Sequence, residues 1–591
     1  MQAYSSGQFR VRIGGCALPA NSRERQRDAA ADDATVNAVL AALDDGDLEG
    51  SAGRAAEALK SGLEHPVLRC VMAMSLQAAR QFDEAVPHLR RAIALRPTDV
   101  SIANALARCL LDLERPLEAL SVLEAALKLE PRHAETHANR GRALELRGQF
   151  AAAERNYLAA LELQPDQLIA KAGMATLSSH YGDHDAATAH ARVVLEAAPD
   201  HANAVIVLAV AELARGMAAS AEARIRRLMA EPRPDPLLAS YLGDALDAQG
   251  RAEEAFEAWT RSGEALRRVH ASRFPGEGVL AAAERTAGFL ERLSADRWPS
   301  GHANPPTPAG VETHVFLLGF ARSGTSLLGL ALAGHEQVEI LDEQEPLTDS
   351  LNAFAGADGM SRLLSATEAE LEVLRNAYWR RVRAAGAKLE RKVFVDKQPM
   401  NSLYLPLIAR LFPGARILFA RRDPRDVALS CFRRRFLVNR YTYEFLSIEG
   451  AARLYAAAAR LRCRMGELAS LNTLVVAHED LVEDFDGEMR RVCKFLGLAS
   501  SDALRTFAGR VRSGEVATPS ASQLARGLNS DGVGQWRRYE RQLQPLMPIL
   551  EPWVKRFGYD RLPVDDGPDW DVRTSLRRPG ASQVRSVART G

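Results

Sequence analysis

One stretch, residues 314–328, carries the residue types that bind a phosphate-like anion. It reads HVFLLGFARSGTSLL, in which a short apolar run is followed by small and polar residues: Gly319, Arg322, Ser323, Gly324, Thr325 and Ser326. The pattern predicts a strand, a tight turn and a helix N-terminus. Such a turn directs backbone N–H groups and the positive end of the helix dipole at one point, where Arg322 adds a full charge. The alternative is a corner in which the glycines serve only geometry.

This loop differs from a Walker A loop at one position that matters. Gly319 and Gly324 have the right separation, but Thr325 stands where the Walker A loop has Lys. A kinase or ATPase would lack its main cation for the transferred phosphoryl group. A Walker B aspartate, which would hold magnesium, has only an imperfect candidate in Asp396. We therefore expect anion binding without a metal and keep a P-loop kinase as an alternative.

A second group of cations follows a second predicted strand. Residues 421–436 read RRDPRDVALSCFRRRF. Arg422 ends the strand, Pro424 suits the first turn of a helix, and Ser430 lies two turns along it. Some of the arginines at 433–435 fit a solvated helix face, which does not explain Arg422. The sequence thus predicts two cationic stations at strand C-termini, suited to a ligand with two separated phosphate groups.

The N-terminal half repeats itself every 34 residues. Small residues recur at one position of the repeat: Ala73, Ala107, Gly141, Ala175, Ala209 and Gly243. They recur at a second position: Ala85, Ala119, Ala153, Ala187, Ala221 and Ala255. Prolines keep the same step: Pro97, Pro131, Pro165 and Pro199. This resembles the tetratricopeptide repeat, in six units with a less regular unit at 35–66, and implies a superhelix of helix pairs with a concave groove.

The rest of the chain divides by composition. We expect a flexible tail at 1–34, the repeat array at 35–270, a helix and Pro-rich linker at 271–312, a strand–helix domain at 313–562 and a disordered tail at 563–591. Strands of a buried parallel sheet are predicted at His314–Phe320, Lys392–Asp396, Ala415–Ala420 and Thr473–Ala477.

Composition excludes several functional classes. The chain has 591 residues, 47% hydrophobic and 26% charged, with a net charge of +1, so nothing indicates a nucleic-acid partner. Its six cysteines form no CxxC pair, which favours free thiols over a disulfide scaffold or a zinc site. No apolar run approaches the roughly 18 residues that span a bilayer, and the first residues lack a signal peptide's apolar core. We expect a cytoplasmic location and no metal.

The second domain resembles the sulfotransferases that use 3′-phosphoadenosine-5′-phosphosulfate. Arg322 to Ser326 match their 5′-phosphosulfate loop, and Arg422 with Ser430 match their 3′-phosphate motif. The branch is that of the tyrosylprotein sulfotransferases and the bacterial tetratricopeptide–sulfotransferase fusions. Further matches are His335, Asp342-Glu343, Asp396-Lys397-Gln398-Pro399 with Asn401, His478 to Leu481, and Ser520 to Gln523 followed by Trp536. The implied architecture is an all-α superhelix followed by an α/β, P-loop-like domain with a parallel sheet.

The resemblance also implies roles. Glu343 would be the general base, with Glu345 and Asp342 as rivals; Arg322, Lys397 and Ser520 would stabilise the transferring group. The donor would be held by the following residues: Arg322, Ser323, Gly324, Thr325, Ser326, Arg422 and Ser430. The chain departs from the tyrosylprotein branch at Glu345, where that branch has Arg, and at Gln535, where it has Lys. An acidic tyrosine peptide is therefore disfavoured, and Arg526 or Arg537 would replace the lost phosphate contact.

Function stays open on the acceptor side. The first interpretation is a sulfotransferase acting on an acceptor hydroxyl, with a peptide or protein in the repeat groove. A scaffold or dimerisation role for the repeats is an equal alternative. From another class, a non-catalytic adaptor with a degenerate nucleotide fold would show the same repeats but would not need the full set of polar residues. Acceptors with a peptide tyrosine, carbohydrate, lipid or small-metabolite hydroxyl all remain.

Overall fold

The computed structural model describes residues 23–230, 234–299, 305–512, 524 and 527–560, with side chains from residue 34 onward. Residues 1–22 of the N-terminal tail predicted at 1–34 lie outside these residues, as do the tail predicted at 563–591, Ser520 and Arg526. Residues 23–34, expected to be irregular, belong to a helix that begins at Arg23. The chain forms two compact units, one with residues up to 262 and 505–528, the other with 263–504 and those from 529 onward.

The first unit is a stack of helix pairs. In chain order its helices are α1 Arg23–Asp44, α2 Leu48–Lys60, α3 Pro66–Ala78, α4 Phe82–Leu95, α5 Val100–Asp112, α6 Pro116–Leu129, α7 Ala134–Leu146, α8 Phe150–Leu163, α9 Leu168–His180, α10 His184–Ala197, α11 Ala202–Ala214, α12 Ala218–Met229, α13 Leu237–Asp247 and α14 Ala252–His270. Six pairs, α3/α4 to α13/α14, coincide with the six predicted repeats, and α1/α2 form the irregular first unit.

The repeated small residues are the contact points of these pairs. Each alanine at the two repeat positions is completely buried, because only a methyl group allows the two helix backbones to approach closely. The prolines follow the second helix of each pair by two residues, as Pro97 follows Leu95, and prevent the helix from continuing. The predicted repeat architecture is thus confirmed.

The second unit begins with helical segments and continues as an α/β fold. Its elements are α15 Val279–Arg292, β1 Thr313–Leu318, α16 Thr325–Ala333, β2 Val338–Asp342, α17 Thr348–Ala353, α18 Gly359–Ser365, α19 Glu368–Ala384, β3 Val393–Lys397, α20 Leu405–Leu411, β4 Arg416–Arg421, α21 Pro424–Arg433, α22 Ile448–Leu468, β5 Asn472–Ala477, α23 His478–Glu483 and α24 Phe485–Leu496. Helix α25 (Phe507–Arg512) falls in the stretch grouped with the first unit, and α26 (Glu540–Leu543) and α27 (Met547–Phe557) complete the second.

All five strands are parallel, in the order β2-β3-β1-β4-β5. Successive residues from Val315 to Leu318 are all buried, so both faces of the central strand are covered. The edge strand β2 was not predicted, since Glu339 and a half-buried Ile340 give it no continuous apolar run. The chain leaves β1 toward β2 on one side of the sheet and leaves β4 toward β5 on the other side. The C-terminal ends of β1 and β4 therefore border the switch point at which open α/β sheets bind ligands.

Helix α15, upstream of the sheet, packs along α22 inside the second unit. Its inner face buries Ala283, Ala287 and Leu290. Two ion pairs flank this face, Arg453–Glu284 at 2.9 Å and Arg460–Glu291 at 2.6 Å. Among the described residues, no helix combines the length and apolar character needed to cross a membrane.

Candidate active site

The loop after β1 contains two glycines at which a side chain would collide with its neighbours. A Cβ on Gly319 would lie 2.8 Å from the carbonyl oxygen of Ala420, because the ends of β1 and β4 meet there. Gly324 has a φ of 99°, and a Cβ on it would lie 2.9 Å from Nδ1 of His478. Arg322 also adopts a positive φ, 67°, which is uncommon for a residue with a side chain. The loop therefore holds a strained, compact shape just ahead of α16.

The remaining loop residues form the N-terminus of α16. Ser323 and Thr325 are buried, and Ser326 is half-buried in the first turn of the helix. The amide of Ser323 donates to the carbonyl of Phe320 at 3.1 Å, which closes the turn. This is the strand–turn–helix arrangement that the sequence predicted, with the helix dipole directed at the loop.

The two predicted cationic stations meet in one place. Nε of Arg322 donates to Oγ of Ser430 at 3.0 Å. Nη1 of Arg422 donates to the backbone carbonyl of Arg322 at 2.9 Å, and its Nη2 donates to the carbonyl of Gly532. Because β1 and β4 are neighbours in the sheet, their C-terminal ends are adjacent. The sequence had paired Ser430 with Arg422; here its hydroxyl contacts the arginine of the other station.

Several guanidinium groups lie close together in this cluster. Burial, and then the guanidinium groups of Arg434 and Arg422, lower the pKa of Arg322 well below its usual range. Arg433 acts in the same direction and donates to Oε1 of Gln535. Neighbouring cations disfavour one another's charged form, which is why these guanidinium groups lower the pKa of Arg322. The sequence analysis expected some of the arginines at 433–435 to be solvated and had no signal that separated them, since α21 ends at Arg433.

The predicted base lies at the end of β2, opposite a lysine at the end of β3. Oε1 of Glu343 accepts from Nζ of Lys397 at 2.8 Å, and the Glu343 amide donates to the Lys397 carbonyl at 2.8 Å. Lys397 is buried and also forms an ion pair with Asp342. Burial lowers the pKa of Lys397, but the two carboxylates outweigh it and the net pKa is raised. Lys397 thus remains a full cation beside the carboxylates.

Asp342 and Glu345, the rival bases, differ in their surroundings. Burial raises the pKa of Asp342; Lys397 opposes this shift, and Glu343 adds to it. Glu345 is exposed, and neither of the two ion pairs of Lys397 within the described chain involves it. Glu343 carries a positive φ of 47°, so this turn, like the loop at Arg322, has an uncommon backbone conformation.

Residues 478–481 contact both the turn between β4 and α21 and the loop at Gly324. Oε1 of Glu479 accepts from the amide of Asp423 at 3.0 Å, which positions the turn between β4 and α21. His478 is packed against the loop at Gly324 and keeps an unpartnered Nδ1 in the described structure. Burial, with Arg422 and Arg322 nearby, lowers the pKa of His478 to about 3. A neutral imidazole beside the loop is a feature to which the sequence assigned no role.

The segment around Trp536, which the resemblance singled out, is hydrogen-bonded to α21. Asp426 accepts from the amides of Gly534 at 2.7 Å and Trp536 at 2.9 Å. The guanidinium carbon of Arg425 lies 3.6 Å from the centre of the Trp536 ring. Asp396, considered above for a metal, does not face this site: its carboxylate accepts from Tyr378 in the aromatic core. Among the described residues, no group of three or more His, Cys, Asp or Glu side chains could hold a metal.

Comparisons with known proteins agree with both units. Residues 314–502 match the sulfotransferase family, and residues 70–123 and 110–167 match the tetratricopeptide repeat. An uncharacterized protein of Aquifex aeolicus is 26% identical over 284 residues, 46% of this chain and 35% of that protein. Protein-tyrosine sulfotransferase A of Caenorhabditis elegans is 23% identical over 258 residues, 42% of this chain and 67% of that protein. The chain thus spans about a third of the Aquifex relative's length.

Two solved structures are similar to separate parts of the chain. A tetratricopeptide repeat protein from Parabacteroides merdae is 19% identical, with a TM-score of 0.32, over 39% of this chain and 92% of that one. The sulfotransferase domain of the Synechococcus PCC 7002 olefin synthase is 20% identical, with a TM-score of 0.28, over 40% and 91%. On the family matches, this chain combines tetratricopeptide repeats with a domain of the sulfotransferase family.

Proposed function

We propose that this protein transfers a sulfuryl group from 3′-phosphoadenosine-5′-phosphosulfate to an acceptor hydroxyl. The observation that carries the proposal is the cluster in which Arg322, Arg422 and Ser430 converge behind the loop at the end of β1. A donor with phosphates at both its 3′ and 5′ positions matches a site in which two arginines from the ends of adjacent strands come together. The hydroxyl of Ser430 and the guanidinium groups can exchange their mutual contacts for phosphate oxygens.

The reaction requires an in-line displacement at sulfur. The acceptor oxygen forms a bond to sulfur while the bond from sulfur to the bridging 5′-phosphate oxygen breaks, and the electron pair leaves with the bisphosphate. Arg322, Thr325 and the loop amides, including those of Ser323, Gly324 and Ser326, stabilise the charge that develops on that oxygen. Arg422 and Ser430 bind the 3′-phosphate. Ser520 keeps the role that the resemblance implies, on the sulfuryl group, and Arg526 or Arg537 supplies the phosphate contact that Gln535 lacks.

Glu343 takes the acceptor proton in this proposal. Its contact with Lys397 places the general base next to a cation that can stabilise the transferring sulfuryl oxygens. Asp342 shares that lysine, so replacing Glu343 alone leaves Lys397 with one carboxylate partner. No metal is required, because side-chain cations neutralise the charge. The tetratricopeptide repeats bind the acceptor, or a protein that carries it, in their groove; a scaffold role is the alternative.

A titration tests the donor assignment. Arg422→Ala should weaken binding of 3′-phosphoadenosine-5′-phosphate by roughly 1.5–3 kcal/mol, and that of adenosine 5′-phosphosulfate much less. Arg491→Ala is the matched control: Arg491 also donates to a backbone carbonyl, that of Val475 at 2.8 Å, away from the cluster. Equal weakening of both ligands by Arg422→Ala would refute its role. If the parent protein binds ATP with magnesium more tightly than the bisphosphate, a P-loop kinase is favoured. If it binds neither of these two ligands, a non-catalytic adaptor is favoured.

The base is tested by turnover. Glu343→Gln should reduce kcat by about 10²–10⁴-fold with donor affinity nearly unchanged, since the amide keeps the shape but cannot accept a proton. Glu345→Gln, two residues away and without the lysine contact, is the control and should leave kcat within a few-fold of the parent. The opposite pattern would assign the base to Glu345. Loss of activity only in Asp342→Asn would assign it to Asp342.

A further inference from the structure

Two half-buried arginines of the second unit, here called the arginine pair, have aromatic rings as their neighbours: Arg421 and Arg462. The guanidinium carbon of Arg462, on α22, lies 4.8 Å from the centre of the Phe419 ring. That of Arg421, the last residue of β4, lies 5.6 Å from the Phe557 ring and 5.8 Å from the Tyr559 ring. The face of an aromatic ring attracts a cation but does not neutralise its charge.

The two members of the arginine pair belong to one surface region. Phe419, which carries Arg462 on its ring, and Arg421 are two positions apart on β4. Their side chains therefore leave the same face of the sheet about 7 Å apart. The electrostatics agree with this proximity: burial lowers the pKa of Arg462, Cys463 opposes the shift, and Arg421 and Arg556 add to it.

Neither member of the arginine pair forms an ion pair within the part of the chain that the structure describes. Nε of Arg421 is buried there without a hydrogen-bond acceptor. Other arginines of α22 differ, since Arg453 pairs with Glu284 at 2.9 Å and Arg460 with Glu291 at 2.6 Å. Because buried charges in proteins are as a rule paired, the arginine pair is suited to receive an anionic group.

The described chain stops beside the arginine pair. Tyr559 is buried, its hydroxyl donates to Glu479 at 2.9 Å, and its carbonyl accepts from Arg425 at 3.1 Å. After Asp560 the sequence continues RLPVDDGPDWDVR. Within it, residues 565–571 hold four aspartates and no Lys or Arg, and are here called the acidic segment: Asp565, Asp566, Asp569 and Asp571. This segment thus follows a point of the chain that is fixed next to Arg421.

The acidic segment is long enough to reach the arginine pair. An extended chain spans about 3.3 Å per residue, so Asp565 can lie up to roughly 17 Å from Asp560, and Asp569 up to roughly 30 Å. The path is shorter than that, since Arg421 lies beside Tyr559 and Arg462 one side-chain spacing farther. A tethered segment acts at a millimolar effective concentration, at which a few weak ion pairs can hold it.

We infer that residues 565–571 dock on the arginine pair of the same molecule. The aspartates pair with Arg421 and Arg462. Trp570, which stands between two aspartates, packs on the half-buried rings of Trp553 and Phe557, whose centres are 6.0 Å apart on α27. The residues after the acidic segment carry five arginines and no acid, so they do not fit this surface. The inference concerns a contact outside the proposed active site.

Limited proteolysis of the full-length protein tests the contact. Trypsin cleaves after Arg573, two residues behind the acidic segment, and after Arg585, farther along the same tail. Mass spectrometry measures both rates at low salt. The double variant Arg421→Gln/Arg462→Gln should be cleaved after Arg573 roughly 3- to 10-fold faster than the parent, the effect of two ion pairs at a partly buried site. Cleavage after Arg585 should be unchanged.

Two further variants separate the contact from its alternatives. Arg453→Gln/Arg460→Gln removes the same charge from arginines of α22 that have their own carboxylate partners, and should be cleaved like the parent. Asp565→Asn/Asp566→Asn/Asp569→Asn changes the other side of the contact, four or more residues from the cleaved bond. It should accelerate cleavage after Arg573 as the arginine variant does, and combining the two should add nothing.

Each outcome decides the inference. Equal cleavage after Arg573 in the parent and in both the arginine and the aspartate variants overturns it, and so does equal acceleration by the control. Protection that increases with protein concentration places the segment on a second copy and also overturns it. So does protection that persists in about 1 M salt, which screens ion pairs. If circular dichroism shows that the arginine variant is unfolded, the aspartate variant, whose changes lie outside the described residues, decides alone.

Discussion

At the scale of single residues, two adjacent residues of β3 lie in different environments. Lys397 faces the proposed site, whereas Asp396 faces a core of aromatic rings, because successive side chains of a strand point to opposite faces. Oδ2 of Asp396 accepts from the Tyr378 hydroxyl at 2.9 Å, and Nε2 of His314 lies 3.0 Å from that hydroxyl. Burial raises the pKa of Asp396 to about 7, although the Tyr378 hydrogen bond opposes the shift. The fold thus keeps this carboxyl protonated at pH values well above the ordinary pKa of an aspartic acid.

The raised pKa of Asp396 predicts a pH-dependent stability. In the unfolded chain this carboxyl ionises near its ordinary value, about 4, so between there and about 7 the unfolded state holds fewer protons than the folded state. The contribution of Asp396 to the free energy of unfolding is therefore fully present below about pH 4. It falls as the pH rises and levels off above the pKa of the folded state. Asp396→Asn keeps an acceptor for Tyr378 but cannot ionise. Its thermal midpoint, relative to the parent, should rise between pH 5 and pH 8.

The difference between variant and parent is the quantity that matters, since other groups titrate equally in both. His314 stays neutral in this range, because burial lowers its pKa to about 3. A midpoint difference that is the same at pH 5 and pH 8 would contradict the raised pKa.

At the scale of elements, the repeats adjust their small residues to the side chain they face. One position of the second helix, again spaced by 34 residues, is filled by residues of varied size: Leu89, Leu123, Tyr157, Ala191, Ile225 and Trp259. Where it is Tyr157 or Trp259, the facing residue of the first helix is glycine, Gly141 or Gly243, in place of alanine. A Cβ on Gly141 would lie 2.6 Å from the Tyr157 ring, and one on Gly243 2.3 Å from the Trp259 ring. Glycine thus faces each of the two large aromatic rings at this position.

This volume match gives a packing prediction. Gly141→Ala should lower the free energy of unfolding of the array by about 1–3 kcal/mol, because the added methyl group overlaps a buried ring that has no room to move. The control Gly53→Ala, at an exposed position of α2 with open space around the added Cβ, should be neutral or stabilising by about 0.5–1 kcal/mol. Urea unfolding followed by circular dichroism measures both.

A second substitution tests the cause. Tyr157→Leu restores the alanine–leucine pair found at Ala73 and Leu89, so Gly141→Ala should cost less in that background than in the parent. Tyr157→Leu also removes a hydrogen bond to Glu145 at 2.6 Å, so it is destabilising by itself. Additive losses would show that the ring is not what Gly141 accommodates.

At the scale of the whole molecule, the structure places α15 with the second unit. The sequence predicted a domain that begins at 313 after a linker, and that boundary stays a prediction. Yet α15 covers an apolar face of α22, and Arg464 on α22 donates to the carbonyl of Leu290 at 3.0 Å. The compact unit itself begins at Gly263. Helix α15, which the sequence assigned to a linker region, thus packs on the second unit and buries part of its apolar surface.

Two truncations distinguish these boundaries. A chain of residues 263–591 should bind 3′-phosphoadenosine-5′-phosphate with an affinity close to that of the full-length protein. A chain of residues 310–591 lacks α15 and should be less stable by several kcal/mol, because burial of its apolar side chains at about 25 cal/mol per Å² is lost and three arginines of α22 lose partners. Thermal unfolding and calorimetry measure both effects. Equal melting temperatures would support the boundary at 313.

Much of the site was within reach of the sequence. The loop at 319–326 and the strand end at Arg422 were identified because glycine spacing, apolar runs and caps are local features. Strand β2 was missed, since an edge strand with Glu339 lacks the apolar run that marks a strand buried on both faces. Glu343 was assigned by resemblance alone, and its contact with Lys397, 54 residues away in the chain, follows from the pairing of β2 with β3.

The sequence by itself determined the elements whose signal lies within a few turns of chain: helix pairs with small residues every 34 positions, and a strand, a glycine-containing loop and a helix after it. Only the tertiary structure decided which of these elements are neighbours. The strand order 2-3-1-4-5 brings Arg322 to Ser430 and Asp342 to Lys397, and it turns Asp396 into the core. The reason is physical: secondary structure follows local conformational preference and periodicity, whereas strand order and side-chain pairing minimise the free energy of burial and charge over the whole chain.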